Sequence, residues 1–70
     1  GTLDSDPRAY SACRSGVRHD VWGEGDLLWV RYDGRRGALV FRAPEGDTRQ
    51  VDLFLCGETE PTRSTVVPFP

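Results

Sequence analysis

The chain carries two cysteines, Cys13 and Cys56, and nearly every strong strand signal of its 70 residues lies between them. An even, small cysteine count in so short a chain predicts one disulfide, closing a loop of about 44 residues. In the chain-entropy account a loop of that size stabilises the fold by roughly 4 kcal/mol. A hydrophobic core of this size supplies only about 3–5 kcal/mol on its own. The bridge therefore weighs as much as the core. It also predicts an extracellular or otherwise extracytoplasmic, oxidising setting. Two buried thiols in a reducing compartment are the competing reading.

Apolar residues make up 37% of the chain and the net charge is −2. One small packed domain over residues 1–70 is expected, with no electrostatic footprint for nucleic acid. All nine cationic side chains are arginines. A coding bias explains that most simply; a surface that recognises partners through arginine's planar fork is the functional reading. No apolar run reaches the roughly 18 residues of a membrane span, and no signal-peptide pattern is present. Gly1 and the lack of methionine fit a processed or excised domain.

Residues 1–8, with Asp4, Asp6 and Pro7, read as a loose lead-in. Tyr10, Ala12 and Cys13 suit either a short strand or one helical turn begun at Asp6–Pro7. Arg14–Ser15–Gly16 reads as a turn, and Val17 to Trp22 as an alternating strand. Gly23–Glu24–Gly25–Asp26 breaks it. Three clear strands follow: Leu27 to Asp33, Ala38 to Ala43 and Arg49 to Cys56. A hairpin over Gly34–Gly37 joins the first two, with Asp33–Gly34 the strongest turn dipeptide. Residues 61–70 read as a Pro-bounded edge strand and tail, the strand at Ser64 to Val67. The spacing of turn signals predicts an all-β fold: a small antiparallel β-sandwich or barrel of about five short strands, closed by one disulfide.

Alternation within the three clear strands defines two faces. Leu28, Val30 and Tyr32 share one with Leu39, Phe41, Ala43, Val51, Leu53 and Leu55. The other carries Trp29, Val40, Phe54 and Cys56 among Arg31, Arg42 and Asp52. A sheet with one wet face does not usually place Trp29, Val40 and Phe54 there. Because Cys56 lies on the second face, a bond to Cys13 would draw the N-terminal segment across it. Two layers pinned by the disulfide are expected.

Leu27–Leu28–Trp29–Val30–Arg31–Tyr32–Asp33–Gly34 resembles the C strand and following turn of immunoglobulin-like domains. The resemblance implies a tryptophan, Trp29, packed on a Cys13–Cys56 bridge joining two sheets. The chain departs from that pattern in three places. Phe54, two positions before Cys56, lacks the hydroxyl of the tyrosine corner. Ser11 stands where an apolar residue precedes the first cysteine, and few residues before Cys13 remain for a first strand.

Signals for chemistry are sparse. His19 beside Asp20 is the single histidine, but neighbours in a strand point to opposite faces. A Ser11 or Ser15 triad with His19 lacks a nucleophile elbow and room for an oxyanion hole. A nuclease using His19, Glu24 and arginines needs fewer parts. Asp4 with Asp6, and Glu24 with Asp26, fall short of a calcium loop, and two scattered cysteines do not make a zinc site. No metal or cofactor is expected. Binding signals are stronger, because Trp, Tyr and Arg dominate interfaces. Trp22, Trp29, Arg31, Tyr32, Arg35 and Arg36, from loop 23–26 and hairpin 34–37, form the expected recognition surface at one end of the sheet.

The expected function is non-catalytic binding of a protein partner, as a monomer or docked within a larger protein. The alternatives are a small secreted nuclease using His19 and a structural segment of a larger chain. The unreduced protein is expected to weigh two hydrogens less than the reduced one and to resist alkylation until reduction. Two thiols labelled in the folded state would move the domain to a reducing compartment.

Overall fold

Asp33–Gly34 forms a two-residue turn with both residues at positive φ, 51° and 79°. That is the primed hairpin geometry, which matches the twist of the flanking strands. The turn joins β2 (Asp26–Tyr32) to β3 (Arg35–Phe41), with Tyr32 opposite Arg35 and Asp26 opposite Phe41. Arg35, Arg36 and Gly37 are therefore strand residues rather than part of a four-residue tip. The computed structural model describes residues 2–14 and 19–69.

Strand β4 (Thr48–Leu55) pairs with β3, and β5 (Arg63–Pro68) pairs with β4. On the other side of β2 lies β1 (Leu3–Ser5), with Leu3 opposite Tyr32 and Ser5 opposite Val30. All neighbours are antiparallel, in the spatial order β1-β2-β3-β4-β5, in one curled sheet that makes a half-barrel. The all-β expectation of about five strands holds, and the described residues form one sheet rather than a sandwich.

Three local expectations need correction, and one open alternative is decided. The lead-in is partly a strand: Asp33 N–H donates to the Thr2 carbonyl, Thr2 N–H to Asp33 Oδ1, and Asp6 N–H to the Trp29 carbonyl. Backbone pairing holds this segment, so side-chain patterning did not betray it. Residues around Cys13 take the helical option, as α1 (Ala9–Arg14). Asp6 starts it, its carboxylate accepting from Arg8 N–H and its carbonyl from Ala9 N–H. His19–Trp22 is a 3-10 turn and not the end of a strand; Ser15 to Arg18 lie outside the described residues. Finally, β3 ends at Phe41 and β4 at Leu55, while β5 runs on to Pro68. At an edge, proline's missing donor costs no ladder bond.

The second face is covered, as its tryptophan and phenylalanine required, but by α1 and the 3-10 turn. The Cys13–Cys56 disulfide, Cα atoms 4.9 Å apart, pins the helix to the turn after β4. It links helix to sheet, so the two-sheet bridge implied by the immunoglobulin-like resemblance does not occur. Cys13, Trp22, Ala38, Val40 and Phe54 form the buried cluster, with Trp29 and Cys56 against it. Trp22 stacks on Phe54 at 5.1 Å between centroids and 18° between planes, and Trp29 meets Tyr10 of α1 edge-on at 5.5 Å. The Trp22 indole N–H donates to the Glu58 carbonyl at 2.8 Å, so no polar atom of the ring is stranded. Gly37 lets β3 and β4 close tightly, since a Cβ there would strike the Phe54 carbonyl.

Arg42 ties the capping segment to the sheet. Its Nε and Nη2 both reach Asp52 Oδ2 at 2.9 Å, while Nη2 and Nη1 donate to the carbonyls of Trp22 and Glu24. Asp52 is 4% exposed. Burial pushes its pKa up; hydrogen bonds from Gln50, Ser64 and Arg42, and the Arg42 charge, outweigh that and hold it below the ordinary 3.8. A depressed folded-state pKa adds stability above 3.8 that is lost as pH falls through the folded value. Asp52→Asn is expected to cost about 1–3 kcal/mol near neutral pH. The gap to wild type should close in strong acid, as read by urea unfolding at both pH values. An equal gap at both would refute the linkage.

Candidate functional site

The six residues expected to form one recognition surface are divided by the fold. Loop 23–26 and the Asp33–Gly34 turn stand at opposite ends of β2, about 20 Å apart at strand rise. Trp22, only 2% exposed, is core and cannot serve as a platform. Trp29 is half-buried between Tyr10 and Trp22. Arg31 and Arg36, opposite each other in the register, are exposed on the capped side of the sheet, where Arg36 Nε lies 3.7 Å from Asp6. Tyr32 and Arg35 belong to the other face, and Arg35 lies 3.9 Å from Glu58. The hairpin end thus keeps its arginines and Tyr32 accessible, whereas the Gly23–Asp26 loop loses its aromatic partner. Arg42's grip on the Trp22 and Glu24 carbonyls explains why: the loop serves to seat Trp22 in the core.

The larger surface feature is the face that the cap does not cover. Leu28, Leu39 and Leu53 lie in one cross-strand row, and Phe41 with Val51 in the next. Val30, Val51, Leu53 and Leu55 are buried, while Leu3 and Leu28 stay 46% and 43% exposed. Tyr32, Leu39 and Phe41 are half-buried. The sheet curls toward this side. Arg63 of β5 donates from Nε to the Tyr32 hydroxyl of β2 at 2.8 Å, yet in a flat sheet three strand spacings would part them by about 14 Å. The concavity holds an open cleft of about 460 Å³ with Leu3, Tyr32, Leu39 and Leu53 in its wall and Arg63 at its rim. That volume falls within the range of ligand-binding clefts, which are mainly apolar with a few placed polar groups.

Sequence patterning had grouped these apolar residues on one face correctly; what it missed was that this face stays open. Cys56 on the opposite face was the available signal. Arg63 was missed altogether, because nothing in the order of residues places it beside Tyr32.

Among the described residues no three His, Cys, Asp or Glu side chains gather as a metal site would require. The His19 backbone sits in the 3-10 turn, and its side chain lies outside the described part of the structure. No helix among the described residues is long and apolar enough to cross a membrane. Comparison with known proteins finds no matching family model, no matching curated protein and no matching solved structure.

Proposed function

We propose that this chain is a non-catalytic interaction domain that works outside the cytoplasm and holds a protein partner against the concave face of its half-barrel. The observation that carries this reading is the unequal treatment of the two faces. One is covered over its centre by α1, the 3-10 turn and the disulfide, with Val40 and Phe54 beneath them and Leu27 and Val66 exposed at its margins. The other leaves Leu3 and Leu28 exposed beside half-buried Tyr32, Leu39 and Phe41. Contiguous apolar patches with a polar rim mark interaction sites, whereas scattered surface leucines do not. Tyr32, Arg35 and Arg63 at the hairpin end are of the types that dominate binding energy. A disulfide in a domain this small is compatible with an extracellular setting.

Leu28→Glu tests the face at an exposed position where the fold tolerates a charge. With the oxidised protein as bait in extracellular fluid, wild type should retain a partner that Leu28→Glu loses by about tenfold or more. His19→Ala should retain it fully. Undiminished capture by Leu28→Glu would remove the concave face from the contact. Turnover of RNA by the wild type, abolished in His19→Ala, would move the function to the enzyme reading.

A further inference from the structure

Arg63 is held differently from Arg35, Arg36, Arg42 and Arg49. Arg35, Arg36 and Arg42 each face a carboxylate, of Glu58, Asp6 and Asp52. Arg49 packs its guanidinium 4.7 Å from the Phe69 ring centroid and 5.7 Å from that of Phe41. Arg63 has no ion-pair partner among the described residues; its Nε–H is committed to the Tyr32 hydroxyl. That bond fixes the guanidinium at the cleft and leaves both Nη groups without an acceptor among the described residues. The hydroxyl accepts from Arg63, so its own proton remains available to donate. Four N–H bonds and one O–H bond are thus held near one another beside Leu39 and Leu53.

Charge on the concave face points the same way. By strand register it carries Arg35, Arg49 and Arg63 against Asp26, with Glu58 beside Arg35, on a chain whose net charge is −2. Among the described residues β5 is paired on one side only, so its outer edge, beside the cleft, offers main-chain donors and acceptors to an extended chain. A lipid tail has no use for such an edge.

We infer that the cleft takes an extended, acidic and aliphatic segment of a partner protein, with an aliphatic side chain over Leu39 and Leu53 and a carboxylate on Arg63 and Tyr32. This rests on the concave face being the contact surface. Charge-assisted bonds of this kind are stronger and more directional than neutral ones, so Arg63 selects the segment while the leucines hold it.

The test is calorimetric titration of the oxidised protein with an acetylated, amidated hexapeptide of alternating Glu and Leu, followed by amide shifts in NMR. Matched Lys–Leu and Gln–Leu peptides and dodecanoate complete the set, and thermal midpoints confirm that each variant is folded. The Glu–Leu peptide should bind saturably and shift residues around Leu39, Leu53 and Arg63, whereas the Lys–Leu peptide should not. Arg63→Gln should weaken it by about tenfold or more and Tyr32→Phe by severalfold. Equal binding of the Gln–Leu and Glu–Leu peptides, unaffected by Arg63→Gln but lost in Leu28→Glu, would overturn the acidic segment and leave the concave face standing. Binding of dodecanoate without any peptide would overturn the protein segment in favour of a small amphiphile. No shift on the concave face with any peptide or dodecanoate would overturn both readings.

Discussion

Everything else in this domain is arranged around the seating of one indole ring. Trp22 lies flat on Phe54, touches Trp29, and has its single polar atom satisfied by the Glu58 carbonyl. Burying a side chain of this kind is worth about 3 kcal/mol, a large share of what a domain of this size retains. The ring comes from a short 3-10 turn that could not hold itself in place. Arg42 anchors its carbonyl end, and the disulfide anchors the helix beside it. The buried Asp52 in turn holds Arg42, so an ion pair is kept in the interior for a positional purpose. Buried pairs of this kind add little net stability over apolar packing, but breaking one is costly.

A sheet with apolar side chains on both faces needs two covers, and the described residues supply one. The cap uses the segment between β1 and β2. The opposite face is managed by curvature, which hides Val30, Val51, Leu53 and Leu55 but leaves the outer rows half open. The half-barrel and the proposed contact surface thus have one physical origin, an excess of apolar area over what the described residues cover.

Much of this is legible in the sequence. Asp33–Gly34 defined its hairpin because few residues accept positive φ twice in succession. Alternation grouped the side chains of β2, β3 and β4 onto the correct faces, and the two cysteines paired. What could not be read follows from the range of the interactions responsible. β1 is held by backbone bonds to β2, with no apolar pattern of its own. Val17 to Trp22 mimicked alternation, yet the register of Trp22 is set by Phe54, Glu58 and Arg42, far along the chain. Grouping Trp22 with Arg35 and Arg36 ignored the length of β2. The Arg63–Tyr32 contact depends on curvature, which is a property of the whole sheet.

The strand order also bears on how the chain reaches this state. From β2 onward each strand pairs with its successor, so these contacts close through short turns at little entropic cost. The N-terminal part is different: β1 reaches β2 only across the helix and the 3-10 turn, and Cys13 is 43 positions from Cys56. Local pairings close fastest, so zipping of the last four strands is expected ahead of the docking of the first third, with Cys56 in place when Cys13 arrives. With two thiols there is no wrong pairing within the chain. The hazard lies in the interval before docking, when the surface that will receive Trp22 is still bare and both faces of the sheet are sticky. A bridge that locks the cap in place keeps that surface covered, so it guards against association as well as bracing the fold.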